Sequence, residues 1–187
     1  QTRIDVTIGV SGALDSLGNS QQAYTATRKF SIDNENPTVE SIVATPTLVS
    51  DSTSVLKLLI TFSERMKESI APTISFPDSL GLTTLMLNTG LSSWKIDDTK
   101  SQYEAVYDVE ADSEEELTNL RVLVENTQDT IGNVQQPGQE ISDVFSIDTK
   151  NPAVQSITLS DTVLTDADTV NSFTVTVSYS EPMSDTI

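Results

Sequence analysis

The chain has 187 residues, of which 36% are apolar and only 5% aromatic, enough for one modest hydrophobic core. It contains neither Cys nor His, which excludes disulfides and removes the commonest general base and the commonest transition-metal ligand. The 28 acidic residues against 10 basic ones give a formal net charge of −18, which would repel a phosphate backbone and argues against nucleic acid as a partner.

Apolar and polar residues alternate with period two in many short windows, which predicts half-buried β-strands. Near the N-terminus, Val6, Ile8 and Val10 form such a run. Seven further strands are predicted at 38–44, 55–63, 72–76, 83–87, 103–109, 117–125 and 143–147. Clusters of Gly, Pro, Asn and Asp separate these runs, and Trp94 is expected to fill the core or a sheet edge. The acidic run 110–116 is interpreted as a solvated loop.

One segment of the chain occurs twice. Residues 30–37 read Phe-Ser-Ile-Asp-Asn-Glu-Asn-Pro, and residues 145–152 read Phe-Ser-Ile-Asp-Thr-Lys-Asn-Pro, 115 positions later. The match extends to three further pairs of segments: 36–42 with 151–157, 61–66 with 178–183, and 15–19 with 129–133. Short solenoid repeats recur every 20–50 residues or so, and this longer interval predicts a tandem array of whole domains.

The repeat divides the chain into three parts. Residues 36–148 are predicted to form one complete repeat, residues 1–35 the C-terminal part of a preceding repeat, and residues 149–187 the N-terminal part of a following one. About seven strands without intervening helices predict an all-β fold of tandem immunoglobulin-like antiparallel β-sandwiches. We expect the sequence to be an excerpt of a longer polymer whose partial domains are ordered by neighbouring chain or by another copy.

Acidic and amide side chains are predicted to converge where consecutive repeats meet. In a sandwich of this strand order, the linker before the first strand, the loop after the second and the loop before the last lie at the same end. Oxygen-rich sites with six to eight ligands suit Ca²⁺ better than Mg²⁺, so we expect Ca²⁺ at each junction. The candidate ligands at the first junction are Asp33, Asn34, Glu35, Asn36, Glu64, Asp129 and Asn133. Those at the second are Asp148, Asn151 and Glu181, while Asp15 and Asn19 belong to the opposite end of the first copy.

Two simpler interpretations stay open. Asp-x-x-Gly-Asn is also a natural turn with Gly at positive φ, which would explain both of its copies without a metal. An acidic surface can also serve solubility alone. Asp51, Asp166 and Asp168, in the first turn of each repeat, are weaker metal candidates.

In combination, these motifs resemble a known family. The Phe-Ser-Ile-Asp-Thr-Lys-Asn-Pro run, Tyr-Ser-Glu-Pro-Met at 179–183 and the two Asp-x-x-Gly-Asn motifs are similar to bacterial Ig-like tandem repeats in the extender regions of giant RTX-type and biofilm-associated surface adhesins. The resemblance implies secretion to the bacterial cell surface, Ca²⁺ at domain junctions and a stalk that projects a separate binding module. The linker and loop residues named above would then be the ligands.

The first functional hypothesis is accordingly a structural extender: a rod stiffened by Ca²⁺, whose partners are adjacent repeats of the same chain. The alternative is an adhesive or self-associating module that binds glycan or protein directly, or whose partial domains complete each other through lateral or strand-completing contacts. We do not expect an enzyme, because adjacent acids such as Asp97 and Asp98 would point to opposite faces of a strand. We also expect no insertion of this segment into a membrane, since no apolar run is long enough.

Overall fold

The computed structural model describes residues 3–79, 81–96, 101–111, 113–166, 168 and 173–184. Within these ranges the fold is all-β, with no α-helix and with several antiparallel sheets. The described residues therefore contain no helix that is long and apolar enough to cross a bilayer.

The described strands follow the chain from β1 to β13. Their bounds are β1 Arg3–Val10, β2 Tyr24–Ile32, β3 Val39–Thr45, β4 Leu48–Ser50, β5 Val55–Phe62, β6 Thr73–Ser75, β7 Leu85–Leu87, β8 Ser93–Ile96, β9 Ser101–Val109, β10 Glu116–Glu125, β11 Gln139–Asp148, β12 Val154–Leu159 and β13 Val175–Tyr179. Strands β3 to β11 form two sheets, β3-β5-β9-β7 with β8 also paired to β9, and β4-β11-β10-β6. These two sheets are called the central unit. All its pairings are antiparallel except β4 with β11.

The core of the central unit lies between its two sheets. Leu58, Ile60 and Phe62 alternate along β5 with 0% exposure, as the period-two pattern predicts. Val122 and Val124 of β10 are equally buried and belong to the same apolar cluster. Gln139 of β11 joins the layers, because its side chain accepts a hydrogen bond from the backbone nitrogen of Val39 and donates one to the Val39 carbonyl. The arrangement is consistent with a β-sandwich.

The strands β1 and β2 form a separate two-stranded sheet, called the first hairpin, which has the same register as β10 and β11. The pairs Val6↔Phe30 and Ile8↔Ala26 correspond to Leu120↔Phe145 and Val122↔Ile141, with register shifts at matching places. The positive φ angles also match, 60° at Asp5 with 54° at Asn119, and 54° at Arg28 with 57° at Asp143. The sequence repeat is therefore also a repeat of backbone geometry.

The strands β12 and β13 form the last hairpin, which has the register of β3 and β5. Val154↔Tyr179 corresponds to Val39↔Phe62, and the register shift after the first pair is the same. A hydrogen-bond pair at the end of the hairpin also recurs. In the central unit the Ser63 nitrogen donates to the Thr38 carbonyl and the Ser63 hydroxyl accepts from the Thr38 nitrogen; Ser180 and Ala153 make the same two bonds.

The strand predictions between residues 38 and 147 agree with β3, β5, β6, β7, β9, β10 and β11, with differences at the ends. The predicted start of β11, at residue 143, is wrong by four residues. The cause is the bulge at Asp143, where positive φ interrupts the alternation of apolar residues. Strands β4 and β8 were not predicted, because three or four residues are too few to show a period. Asp97 and Asp98 lie outside the described residues.

Candidate metal centre

The Asp-x-x-Gly-Asn motif at residues 129–133 forms a tight turn organised by its first side chain. One carboxylate oxygen of Asp129 accepts hydrogen bonds from the backbone nitrogens of Ile131 at 2.8 Å, Gly132 at 2.5 Å and Asn133 at 2.8 Å. The Asn133 amide donates to the other oxygen at 2.7 Å. Gly132 has φ of 119°, a conformation that disfavours side chains and explains the glycine.

The copy of this motif at residues 15–19 has the same geometry. Asp15 accepts from the backbone nitrogens of Leu17 and Asn19, and the Asn19 amide donates to its second oxygen at 2.7 Å. The turn therefore accounts for the Asp and Asn of both motifs. What differs is the surroundings, since Asp129 is 1% exposed whereas Asp15 is exposed.

Three carboxylates from separate parts of the chain meet beside the buried turn. Asp33 from the linker after β2, Glu64 from the loop after β5 and Asp129 each offer one oxygen, and these oxygens lie within 4.8 Å of one another. This set is called the acidic triad. Its three members are among the seven candidates predicted at the first junction.

Backbone contacts hold the three segments together. The loop after β5 lies against the turn because the Lys67 nitrogen donates to the Gln128 carbonyl at 2.8 Å and the Thr130 nitrogen donates to the Arg65 carbonyl at 3.2 Å. The linker is tied to the end of β5 by the two hydrogen bonds between Thr38 and Ser63. These hydrogen bonds thus hold the three carboxylates of the acidic triad close together.

The ionisation of the triad reflects this crowding. Burial raises the pKa of Glu64, and the nearby charges of Asp129, Asp33 and Glu35 raise it further. Burial alone would also raise the pKa of Asp129, but the hydrogen bonds from Gly132, Asn133 and Ile131 together hold it below its ordinary value. Asp129 is therefore a fixed anion beside a glutamate whose charged form is disfavoured, and a bound cation would relieve that repulsion.

The donor set around the triad fits a hard cation. All of its donors are carboxylate oxygens, the ligands preferred by Ca²⁺. An open cleft of about 320 Å³ lies beside Glu64 and is lined by Glu35, Asn36, Thr38, Ser63 and Glu64, which offer further oxygens. Asn34 lies exposed in the linker and is not part of this lining.

The candidates at the second junction are brought together only in part. Asp148 and Glu181 line one small cavity of about 70 Å³. Asn151 instead donates its side-chain amide to Glu114 at 2.7 Å. Lys150, which stands where the first junction has Glu35, lies 3.2 Å from Glu116 and brings a positive charge into the cavity. Glu116 lines the same cavity as Asp148 and Glu181, but these three acids are not found, among the residues the structure describes, to bring their oxygens within 4.8 Å of one another as Asp33, Glu64 and Asp129 do.

The remaining candidates form turns. Asp168 accepts hydrogen bonds from the backbone and hydroxyl of Thr165, which lower its pKa. Asp51 and Asp166 lie in the turns after β4 and β12. Among the residues described, none of these three belongs to a group of three converging acids, and neither does Asp15.

The acidic run that leads into β10 has contacts that the sequence interpretation missed. Glu114 accepts a hydrogen bond from the Asn151 amide, and Glu115 accepts hydrogen bonds from Thr83 and Thr84. Glu116, the first residue of β10, lines the cavity beside Asp148. The signal that could have found them is the hairpin itself. Once β10 and β11 are paired, Glu116 stands opposite Asp148.

Comparisons with protein-family models, with curated proteins and with solved structures found no match to this chain.

The raised pKa of Glu64 has a consequence for stability in calcium-free buffer. A carboxyl with a raised folded-state pKa contributes stability at low pH, and loses that contribution as pH rises through its folded pKa. We expect the wild type to lose free energy of unfolding relative to Glu64→Gln as pH rises above about 4.3, the ordinary glutamate value. Urea unfolding of both proteins over a pH series measures this difference.

The pKa of Asp129 is lowered instead of raised, so the stability that its charge contributes is lost only as pH falls through that lowered pKa. This loss occurs at lower pH than the titration of Glu64. Glu68→Gln, an exposed glutamate nearby, is the control and should run parallel to the wild type. A difference between wild type and Glu64→Gln that is constant across the range would contradict the electrostatic interpretation.

Proposed function

We propose that this chain is a structural extender segment of a large bacterial cell-surface adhesin. Tandem Ig-like β-sandwiches form a rod, and Ca²⁺ at the junctions fixes their relative orientation. The central unit would be one complete repeat, and the first and last hairpins would be the adjoining parts of its neighbours. The proposal places the protein outside the cell, with adjacent repeats of the same chain as its principal partners, and gives it no catalytic role.

The observation that carries the proposal is the acidic triad. Two of its members, Glu64 and Asp129, belong to the central unit, whereas Asp33 lies on the linker that joins this unit to the first hairpin. A cation bound by all three would tie the linker to the central unit. Two unit charges about 4 Å apart interact by about 4 kcal/mol at an effective dielectric constant of 20, so the triad would push the linker away when no cation is bound.

The linker is already restrained on its other side. Pro37 is buried and fixes its own φ, and the next residue is held by the Thr38–Ser63 hydrogen bonds. The rest of the linker, from Asp33 to Asn36, is four residues long. A cation bound at Asp33 would therefore attach this short stretch to the central unit at its other end as well.

Small-angle X-ray scattering with and without calcium tests the proposal. In millimolar CaCl₂ we expect a narrower distribution of interatomic distances and a larger maximum dimension than in EGTA, because the linker no longer flexes. The double variant Asp33→Asn with Glu64→Gln should give the EGTA profile in both buffers. The control Glu68→Gln with Glu110→Gln removes two exposed acids outside the triad and should behave as wild type. Wild-type profiles that are identical in calcium and EGTA would refute the proposal.

A further inference from the structure

The residues that leave the central unit after β11, numbers 149–151, are called the exit linker. Its first residue, Thr149, is only 1% exposed, although threonines in connections usually face water. The Thr149 nitrogen donates to the Glu115 carbonyl at 2.9 Å, and the Glu115 nitrogen donates to the Thr149 hydroxyl at 3.1 Å. These bonds extend the hydrogen bonding between β10 and β11 beyond Glu116 and Asp148, the last pair of that hairpin.

A chain of hydroxyl groups fixes the buried threonine further. The hydroxyl oxygens of Thr149 and Ser113 lie 2.8 Å apart, those of Ser113 and Thr84 lie 2.7 Å apart, and Thr84 donates to the Glu115 carboxylate. Because each hydroxyl carries one hydrogen, the bond from Thr84 to Glu115 requires Ser113 to donate to Thr84 and Thr149 to donate to Ser113. The chain of donors thus begins on the exit linker and ends on an acid of the central unit. Thr84 and Thr149 are both buried, so water has little access to these bonds.

The other two residues of the exit linker contact the same loop, residues 113–116. The Asn151 nitrogen and its side-chain amide donate to the Glu114 carboxylate at 3.3 and 2.7 Å. The Lys150 ammonium lies 3.2 Å from Glu116, in an exposed ion pair that contributes little by itself. Glu114 has φ of 55°, a conformation that glycine adopts with less strain than a residue with a side chain. The strained residue of the loop is therefore the one whose side chain holds Asn151.

We propose that residues 113–116 form a clamp, called the linker clamp, that keeps the exit linker ordered on the central unit without a metal ion. The contacts that carry it join this loop and Thr84 to residues 149–151, and the last hairpin takes no part in them. The linker clamp is thus independent of how the following repeat is completed. It goes beyond the proposed function, because the acidic triad attaches a linker to the unit that follows, whereas the linker clamp attaches one to the unit that precedes.

Amide hydrogen exchange of the whole chain, followed by NMR in CaCl₂ and in EGTA, tests the linker clamp. The amides of residues 115 and 149 should exchange about 100-fold more slowly than in an unfolded chain, equally in both buffers. Thr149→Val removes the hydroxyl and keeps the shape of the side chain, so it should reduce the protection of both amides about 10-fold, as expected for one lost hydrogen bond. Thr149→Ser keeps the hydroxyl and should keep the protection. Thr118→Val, which changes an exposed threonine of β10, is the control.

Glu114→Ala tests the other half of the linker clamp at an exposed position. It should increase the exchange rate of the Asn151 amide about 10-fold while residues 115 and 149 stay protected. Glu110→Ala removes another exposed acid of the same run and should exchange as the wild type does at all three amides. The amide of Leu58, in the core, should keep its protection in every variant and so reports on folding.

Three results would overturn the proposal. Wild-type protection of residues 115 and 149 in Thr149→Val would show that the hydroxyl chain does not hold the exit linker. An unchanged exchange rate of Asn151 in Glu114→Ala would remove the second attachment, and this variant decides the test if Thr149→Val also exposes the Leu58 amide. Protection of the exit linker in CaCl₂ but not in EGTA would show that calcium orders the linker and the linker clamp does not.

One further variant separates this inference from the proposed function. Asp33→Asn with Glu64→Gln removes two acids of the triad and should leave the protection of residues 115 and 149 unchanged. Scattering profiles that ignore calcium, together with protected amides at 115 and 149, would refute the proposed function and support the linker clamp. Calcium-dependent scattering from a wild type whose amides at 115 and 149 exchange freely in both buffers would do the reverse.

Discussion

Replacing Asp129 with alanine should lower the free energy of unfolding by about 3 kcal/mol in calcium-free buffer. Asp129 is 1% exposed and accepts four hydrogen bonds that close the turn before β11. Its removal leaves partly buried donors without an acceptor, and a fully buried donor of this kind would cost about 1–3 kcal/mol, so several partly buried ones together account for the expected loss. Loss of repulsion on Glu64 offsets a small part of this cost. Urea unfolding followed by Trp94 fluorescence gives the change.

The repeat supplies a matched control for this variant. Asp15→Ala removes the same side chain from the same turn, but at an exposed position where water can satisfy the released donors. Its effect should stay below about 1 kcal/mol. Asp129→Asn keeps one acceptor oxygen and should lie between the two alanine variants. Equal losses of unfolding free energy in Asp15→Ala and Asp129→Ala would show that burial of the turn contributes nothing to its stability.

Calcium should stabilise the wild type, and the Asp33→Asn, Glu64→Gln double variant should lose that effect. Extracellular Ca²⁺ sites have dissociation constants of about 10⁻⁴–10⁻³ M. At about 10 mM calcium, binding to the folded state alone would add about 1.4–2.7 kcal/mol to the free energy of unfolding. Differential scanning calorimetry in calcium and in EGTA measures the gain.

The change that the double variant makes in the free energy of unfolding should have opposite signs in EGTA and in calcium. In EGTA the double variant should be at least as stable as the wild type, because two of three repelling carboxylates are gone. In calcium it should be less stable, because it no longer binds the ion. The control pair Glu68→Gln with Glu110→Gln should show the wild-type gain. A double variant that is destabilised equally in both buffers would mean that these acids act through local hydrogen bonds and not through a cation.

Much of the central unit could be predicted because its strands are long and bury one face. Residues 55–62 and 116–125 show the alternation directly, since every second side chain must enter the core. The repeat was visible for a related reason. Phe30 and Phe145 hold the same place in the same hairpin register, so the match in sequence is also a match in strand pairing.

Short and irregular elements were not predictable in this way. Strand β4 pairs through only three residues with β11, and its parallel position depends on where β11 already lies. Strand β8 places Trp94 against Phe62 and Tyr103, an arrangement that becomes visible only when β5 and β9 are adjacent. Asn151 carried the right residue type for a metal ligand, but its amide binds Glu114, a contact made by a neighbouring loop.

The sequence by itself determined the all-β class, the periodic strands, the repeat and the types of residue at the first junction, because these follow from local spacing and chemistry. Only the tertiary structure decided which acids meet. Asp33 and Glu64 are joined by Asp129 because backbone pairing brings the turn of 129–133 against the loop after β5. The chemically similar Asp15 lies exposed, whereas Asp129 is buried because its turn pairs with residues 65–67, which are distant from it in sequence.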